Sequence, residues 1–355
     1  MSQIQQGKSQ TPFEFHGNAR EYFGIWIVNL LLSIVTFGIY SAWAKVRTNK
    51  YLYQNTKVAG RSFDYHATGK QILIGRLIVV AGIVAFSLLS TIPFVGLILM
   101  LALLVLVPWL YVRSLRFNAR MSSWSNVRFA FEGSAGTAAA IMYLYPIGAA
   151  LTVYTTWPFV TRAMHRFVVN GHSLGRTPMR FESPIGPFYA AFFAAGAWVV
   201  VAALAMYFVL GQGLDIHTTV LRLEQSAGEL AELISVGALY LSFIIIGLPS
   251  AIIYRAMVRN AVFNNMSLGG GHSFTSNVSP LRLLWISVSN AVAIVCSLGL
   301  LLPWATIRRA RYLADHTTFI PGASLEDFVD QTTAAGNAIG DAFGDIEGFD
   351  MDVAI

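Results

Sequence analysis

Two asparagines inside apolar runs are the side chains best suited to bind a molecule. Asn29 and Asn290 lie nine residues before Gly38 and Gly299, respectively. Lipid offers an amide no hydrogen-bond partner, so such a side chain meets another protein group or a bound molecule. Two interpretations stay open: a shared polar site near the middle of the membrane that binds a solute, or a link between neighbouring helices, which we favour.

Residues for catalysis or metal binding do not come together in the sequence. The seven histidines are scattered through the connections, and Cys296, the one cysteine, lies in an apolar run. A metal site needs convergent ligands at fixed spacing. The phosphate-loop, His-Glu-x-x-His and Gly-x-Ser-x-Gly motifs are missing. We therefore expect no catalytic residue, no cofactor, no bound metal and no nucleic-acid partner, and we expect that the protein is not an enzyme.

A repeated basic phrase ends several of the apolar runs. It combines Trp with Arg and then adds a second base and an aromatic residue; its anchors are Trp43 and Arg47, Trp109 and Arg113, Trp157 and Arg162, and Trp304 and Arg308. A looser copy begins at Pro249. Indole rings favour the lipid headgroup layer, whereas cations avoid hydrocarbon. The phrase therefore predicts helix exits from a lipid bilayer.

The composition also indicates a membrane protein. Apolar residues make up 55% of the chain and charged residues only 12%, about half the usual charged share. Runs without charge cover residues 22–44, 77–110, 133–161, 187–214, 233–254 and 283–307. A span needs roughly 20 such residues, and the run 77–110 fits two spans with a hairpin at Pro93. We predict a mainly α-helical bundle of about 6–8 transmembrane helices.

The charges of the connections predict the orientation. The connections after Trp43, Trp109 and Trp157 are rich in Lys and Arg, whereas residues 211–232 are mainly acidic. Cytoplasmic connections carry the excess of Lys and Arg, so the basic connections are expected inside and the acidic one outside. The first eleven residues lack the features of a cleavable signal peptide. We expect the first apolar run to remain as an anchor.

Internal repetition is indicated by a shift of 261 residues. It superimposes Asn29 on Asn290, Trp43 on Trp304 and Arg47 on Arg308. Short alternating elements follow the exits and also open the chain, at 13–15, 63–65, 129–131, 179–181 and 274–276. Alternation between turn residues predicts strands, hence pseudo-repeated units with short β-hairpins on the cytoplasmic side. Amphipathic loops resting on the headgroups are the alternative.

The predicted organisation has three parts. A polar N-terminal segment, 1–12, precedes a membrane domain, 13–318, and an acidic tail, 319–355. The domain divides into units 13–62, 63–128, 129–180, 181–273 and 274–318. A single crossing by 133–161 would place two basic exits on opposite sides. Either this run doubles back at Pro146 or the positive-inside rule fails there.

The best-defined motifs resemble the YjgN-like family of bacterial inner-membrane proteins. They are Phe-Glu-Phe-His-Gly at 13–17, Glu-Tyr-Phe-Gly-Ile-Trp-Ile-Val-Asn at 21–29 and Thr-Phe-Gly-Ile-Tyr-Ser-Ala-Trp-Ala-Lys-Val-Arg at 36–47, followed by Tyr51, Asn55-Thr56 and Gly60. The resemblance extends from Phe13 to about Thr317. It implies a multi-pass protein of the bacterial inner membrane and supplies no activity or catalytic residue.

Two functions remain open at this point. Pseudo-repeats, a Pro-broken run and matched polar residues favour transport or permeation of a small solute, our first hypothesis. The alternative is a membrane scaffold or lipid-interacting protein, because the apolar runs hold none of the charged residues that ion relays need. The expected partners are the lipid bilayer and a small solute or lipid. The oligomeric state stays open.

Overall fold

The computed structural model describes residues 10–92, 94–213, 229–269 and 271–322. Ten short antiparallel strands form a closed barrel in which each strand pairs with its neighbours in sequence and β1 pairs with β10. The strands are β1 (Thr11–Phe15), β2 (Thr56–Val58), β3 (Arg61–Tyr65), β4 (Ser122–Trp124), β5 (Val127–Phe131), β6 (His172–Leu174), β7 (Thr177–Phe181), β8 (Met266–Leu268), β9 (His272–Ser276) and β10 (Thr317–Ile320).

The helices lie between the strands as five hairpins. The first is α1 (Ala19–Val35) with α2 (Ser41–Gln54), and the second is α3 (Gly69–Leu89) with α4 (Val95–Arg120). The third contains α5 (Ala135–Ala139), a π-helical turn (Ala140–Leu144), α6 (Tyr145–Leu151) and α7 (Trp157–Gly171). The remaining helices are α8 (Gly186–Gly213) with α9 (Glu229–Phe263), and α10 (Pro280–Cys296) with α11 (Leu302–Asp315).

All five hairpins leave from one end of the barrel. Each connects an odd-numbered strand to the next even-numbered strand. Successive strands run antiparallel, so alternate connections emerge at the same end. At the opposite end, the described residues form tight turns, such as Ala59-Gly60 and Ser125-Asn126. The molecule therefore has a helical face and a turn face.

The barrel corrects the predicted bundle of 6–8 transmembrane helices. In the described part of the chain, three helices are long and apolar enough to cross a membrane: Gly69–Leu89, Val95–Arg120 and Gly186–Phe208. The five predicted alternating elements lie in β1, β3, β5, β7 and β9. They do not form separate hairpins, because partner strands of three or four residues join them into one closed sheet. Strands this short carry almost no periodic signal in a sequence.

The sequence predicted two helical hairpins, and the structure agrees with their positions to different degrees. The break in the run 77–110 is confirmed, since α3 ends at Leu89 and α4 begins at Val95; Pro93, where we placed it, lies outside the described residues. The run 133–161 also folds back, but the predicted position at Pro146 is wrong. Pro146 lies in the first turn of α6, and the chain reverses after Leu151. Every helical unit returns to the end of the barrel from which it left. The basic exits before and after residues 133–161 therefore lie on the same side, and the predicted conflict between them disappears.

Apolar side chains from all ten strands fill the barrel. Its buried members are Val58, Trp124, Val127, Leu174, Leu268 and Phe319, and Phe13, Phe63, Phe129, Met179 and Phe274 pack against them. Strand residues alternate between the two faces. In β1, for example, the exposed Glu14 lies between Phe13 and the buried Phe15. Burial of this cluster holds the closed sheet together.

The three short hairpins reverse through the same backbone conformation. Gly38, Tyr154 and Gly299 have φ values of 88°, 59° and 91°. Each N–H donates to the carbonyl five residues earlier, at 2.7 Å in all three turns. The preceding residues are exposed at the tips, with Phe37 97% and Leu298 95% exposed. These tips present apolar side chains to the hairpins' surroundings.

Candidate membrane-facing site

Four exit arginines lie nearly the same number of residues from the barrel strands. We call Arg47, Arg113, Arg162 and Arg308 the arginine collar. Arg47, Arg113 and Arg308 each precede the next strand by nine residues, and Arg162 precedes it by ten. At the helical rise this spacing corresponds to about 14 Å. The collar therefore marks a common level on α2, α4, α7 and α11.

The tryptophans of the exit phrase pack beside these cations. The guanidinium carbon of Arg113 lies 5.0 Å from the Trp109 ring, and that of Arg308 lies 5.1 Å from the Trp304 ring. A spacing of four residues places both side chains on one helix face. Such cation–π contacts keep a charged group beside an amphipathic ring. Two of the predicted anchor pairs are thus in direct contact.

The other two anchor pairs are arranged differently. Arg47 lies over the Tyr40 ring at 5.9 Å, and Trp43 stacks on that same ring at 6.1 Å. Trp157 packs against Tyr154 with 6.1 Å between ring centroids. In both hairpins the aromatic group adjoins the reversing turn. The four copies of the phrase therefore lie at similar positions along their helices, but their Trp and Arg side chains make different contacts.

The length of helix beyond the collar differs greatly between the hairpins. From Arg47 to the start of α2, and from Arg308 to the start of α11, the helix extends six residues, about 9 Å. From Arg113 to the start of α4 it extends 18 residues, about 27 Å. The hydrocarbon core of a bilayer is about 30 Å thick. Measured from the collar, the long hairpins therefore extend much farther than the short hairpins.

In two copies of the phrase, the second base contacts the backbone near the barrel. Arg311 donates to the carbonyl of Gly17 at 2.9 Å. Arg116 lies 3.4 Å from the carbonyls of Phe131 and Gly133. Both contacts join the second helix of a hairpin to the segment where the chain leaves a strand. This role was not predicted from the sequence, because nothing in the phrase separates the two cations by function.

Asn290 is a link between two helices. Its amide nitrogen donates to the Ala305 carbonyl at 3.1 Å, and its amide oxygen accepts from Arg308 at 2.9 Å. Arg308 also donates to Ser289 at 2.7 Å. These bonds join α10 to α11 and fix a collar arginine. This geometry is the one expected if Asn290 links neighbouring helices.

Asn29 has a different environment. It is 5% exposed, and within the described residues neither amide atom has a hydrogen-bond partner. Arg47 occupies the position corresponding to Arg308, but it lies over Tyr40 instead. The two asparagines therefore do not bond to each other. The proposed pair site of Asn29 and Asn290 stays a prediction.

A basic cleft lies at the junction of α1, α10 and α11. It has a volume of about 450 Å³, and its lining comprises Asn18, Ala19, Arg282, Ile286, Trp304, Ile307, Arg308, Arg311, Tyr312 and Asp315. Within the described chain, no carboxylate lies within 4.0 Å of its three guanidinium groups. Three cations and one carboxylate leave the cleft positively charged. Its chemistry suits an anion.

A smaller cleft occupies the corresponding place beside α7. It has a volume of about 360 Å³ and is lined by Arg162, Arg166, Phe181, Glu182, Ser183 and Pro184. Both clefts lie where the second helix of a short hairpin meets the start of another unit. The smaller one contains two arginines and one carboxylate. Its net charge is therefore lower.

Sequence reasoning identified only part of the basic cleft. Trp304, Arg308 and Arg311 belong to the exit phrase, whereas Arg282 and Asn18 were not predicted. Asn18 caps α1 by accepting from Arg20, and Arg282 lies in the first turn of α10. The N-cap pattern was a usable signal for Asn18. Arg282 had none, because its place in the cleft depends on the packing of α10 against α11 and of α11 against α1.

Among the described residues, no group of three or more His, Cys, Asp or Glu side chains is arranged to hold a metal ion. Cys296, at the exposed end of α10, is free. The site features that remain are the collar, the two asparagines and the two clefts.

Apolar helices with cationic exits define a multi-pass membrane protein. A model of the family described as "Bacterial protein of unknown function (DUF898)" matches residues 10–346, and the chain belongs to this family. It is 36% identical over 156 residues to "Inner membrane protein YjgN" of Escherichia coli K12, covering 43% of this chain and 39% of that protein.

A second relative gives the same result. The protein of the same name from Salmonella typhimurium is 34% identical over 142 residues, covering 39% of this chain and 36% of that protein. The match thus spans about two fifths of the length of these relatives. No solved structure matches the chain significantly. The resemblance noted from the motifs is confirmed, and the chain is a protein of the bacterial inner membrane.

Proposed function

We propose that the protein is a lipid-interacting scaffold of the inner membrane and has no enzymatic activity. Its long hairpins, α3 with α4 and α8 with α9, cross the bilayer. Its three short hairpins end within the cytoplasmic leaflet. The observation that carries the proposal is the arginine collar, which stands at one height while the helices beyond it extend about 27 Å in α4 and about 9 Å in α2 and α11.

The energetics of burial favour this arrangement. Moving the collar deeper would take four guanidinium groups into hydrocarbon, which costs roughly 2.5–3.5 kcal/mol per Arg on insertion scales. Withdrawing the hairpins would expose Phe37, Leu298 and Val153 to water. With the collar at the headgroups, each short hairpin inserts its turn and about two helical turns. That depth is less than half of the bilayer core.

The barrel then lies on the cytoplasmic side. The parts of α2, α4 and α7 between the collar and the barrel contain Lys50, Arg116 and Arg166. Excess Lys and Arg beside membrane helices favours the cytoplasm. The polar outer positions of the strands, such as Glu14 and Arg128, suit water. A packed, water-facing barrel anchored by hairpins of two lengths has the architecture of a scaffold.

Internal repetition supports the same architecture. We propose that the first and last hairpins are copies of one unit. Both contain a buried Asn, and both reverse at a glycine with φ near 90°. Their exit arginines precede the next strand by the same nine residues. Duplication of a leaflet-inserting unit would place two such lipid contacts side by side, because β1 pairs with β10.

Transport or permeation of a small solute is the second candidate. Asn29, buried and without a partner in the described chain, supports it, because a polar solute would supply the missing hydrogen bonds. The barrel interior argues against a route along its axis, since apolar side chains from all ten strands occupy it. A solute route would have to pass between hairpins. The scaffold therefore has the stronger support.

Insertion depth tests the proposal. Single-cysteine variants on a Cys296→Ala background would carry a fluorophore at position 37, 298 or 94 in vesicles with depth-specific quenching lipids. We expect positions 37 and 298 to be quenched within the cytoplasmic leaflet. Position 94, in the long hairpin's turn, should react with an impermeant thiol reagent from the periplasmic side. Periplasmic reactivity at position 37 or 298 would reject leaflet insertion.

A solute-uptake assay distinguishes the scaffold function from the transport function. Solute-uptake profiles of intact and deletion strains should agree if the protein is a scaffold. Uptake of a particular solute that falls on deletion and again in an Asn29→Leu variant would support transport instead.

A further inference from the structure

We infer that the basic cleft binds the phosphate group of an anionic phospholipid from the cytoplasmic leaflet. Arg282, Arg308 and Arg311 line the cleft, and Asp315 is its one carboxylate. Within the described residues no carboxylate lies within ion-pair distance of these arginines. Guanidinium groups bind phosphate through charge-assisted hydrogen bonds. The cleft therefore has the charge and the donors that a phosphodiester needs.

The donors are partly fixed before a ligand arrives. Arg308 uses one terminal nitrogen on Ser289 and Asn290, and Arg311 uses one on the Gly17 carbonyl. Their other nitrogens have no hydrogen bond in the described structure. Arg282 is exposed, and its guanidinium has no hydrogen-bond partner there. Two positioned cations and one free cation reduce the ordering cost of binding.

Position and shape favour a lipid over free phosphate as the source of this group. This step rests on the proposed function, since it takes the arginine collar as the headgroup level. Arg308 belongs to the collar, and Trp304, Ile286 and Ile307 give the cleft an apolar side. A phosphodiester joined to glycerol and acyl chains matches adjacent cations and apolar groups. The volume of about 450 Å³ suits a headgroup.

Native mass spectrometry of the full chain in detergent micelles tests the inference. Titration with phosphatidylglycerol should give tighter binding than titration with phosphatidylethanolamine. The Arg282→Gln variant should lower the phosphatidylglycerol affinity about five-fold, the usual effect of one Lys or Arg near an anionic lipid. Arg282→Lys should retain most of the affinity. The matched control is Arg309→Gln, which removes an exposed charge of α11 outside the cleft.

Three results would overturn the inference. They are equal affinity for the two lipids, equal losses in the Arg282→Gln and Arg309→Gln variants, and displacement of phosphatidylglycerol by millimolar inorganic phosphate, which would identify a free-anion site. The micelle titration does not depend on how deeply the hairpins insert. A cleft that fails to bind lipid and hairpins that fail to stop in one leaflet are therefore distinguishable results.

Discussion

At the scale of single residues, two asparagines with similar sequence positions have different environments. Asn290 satisfies both ends of its amide through Ala305 and Arg308. Asn29 is buried without a partner in the described chain. An unpaired buried amide costs free energy, whereas a paired one cannot be removed without leaving its partners unpaired. The same substitution should therefore act in opposite directions at the two positions.

Asn290→Leu should lower the free energy of unfolding by about 1–3 kcal/mol, because it leaves the Arg308 guanidinium and the Ala305 carbonyl without this partner. Asn29→Leu should raise it, since an apolar side chain replaces an unpaired amide. Chemical unfolding in detergent measures both. Equal destabilisation of the two variants would show that Asn29 has a partner, such as Arg47 or a bound molecule.

At the scale of elements, the turns of the short hairpins decide how those hairpins reverse. Gly38 has φ +88°, and a Cβ built on it meets no atom within 4 Å. A substitution of Gly38 by Ala therefore changes the preference of the backbone for positive φ without creating a steric clash. Gly24, in the middle of α1, also has open space around a Cβ but has a helical backbone. The two glycines of one hairpin form a matched pair.

Gly38→Ala should lower the free energy of unfolding by about 1–2 kcal/mol, because a left-handed backbone disfavours a Cβ. Gly24→Ala should raise it by about 0.5–1 kcal/mol, since Ala favours a helix interior. Thermal unfolding in one detergent compares the variants. If both substitutions stabilise the protein, the hairpin does not reverse through the left-handed turn described here.

At the scale of the whole molecule, closure of the barrel depends on the pairing of β10 with β9 and β1. His272 of β9 stacks on Phe319 of β10 with 5.5 Å between ring centroids, and its Nδ1 accepts from the N–H of Gly322. A doubly protonated imidazole cannot accept that bond. Burial lowers the pKa of His272 below its ordinary value. The folded barrel therefore favours the neutral ring.

Stability should consequently fall as the pH drops below the ordinary histidine pKa of about 6.5. In that range the unfolded chain binds the proton more readily than the folded chain does, so acid favours unfolding. The loss continues until the pH passes the lowered pKa of the folded state. Unfolding followed by circular dichroism between neutral and mildly acidic pH measures it. His272→Phe should flatten the profile, and an unchanged profile in that variant would show that other groups cause the loss.

The sequence by itself determined the membrane location, the helix exits and the break between α3 and α4. Each follows from local chemistry: apolar runs need lipid, cations stop at the headgroups, and a run long enough for two spans must turn back between them. The positions of the odd-numbered strands were also predictable, because alternation shows within five residues. The family resemblance came from contiguous motifs that packing does not alter.

Only the tertiary structure decided the barrel, the equal height of the collar and the basic cleft. Strands such as Thr56–Val58 and Ser122–Trp124 are three residues long, so the decisive signal is their pairing with distant segments. The cleft joins Asn18 to Arg308 across almost the whole chain. Such groups meet because β1 pairs with β10, which brings the first hairpin beside the last. Closure is a property of the whole sheet, and no local pattern encodes it.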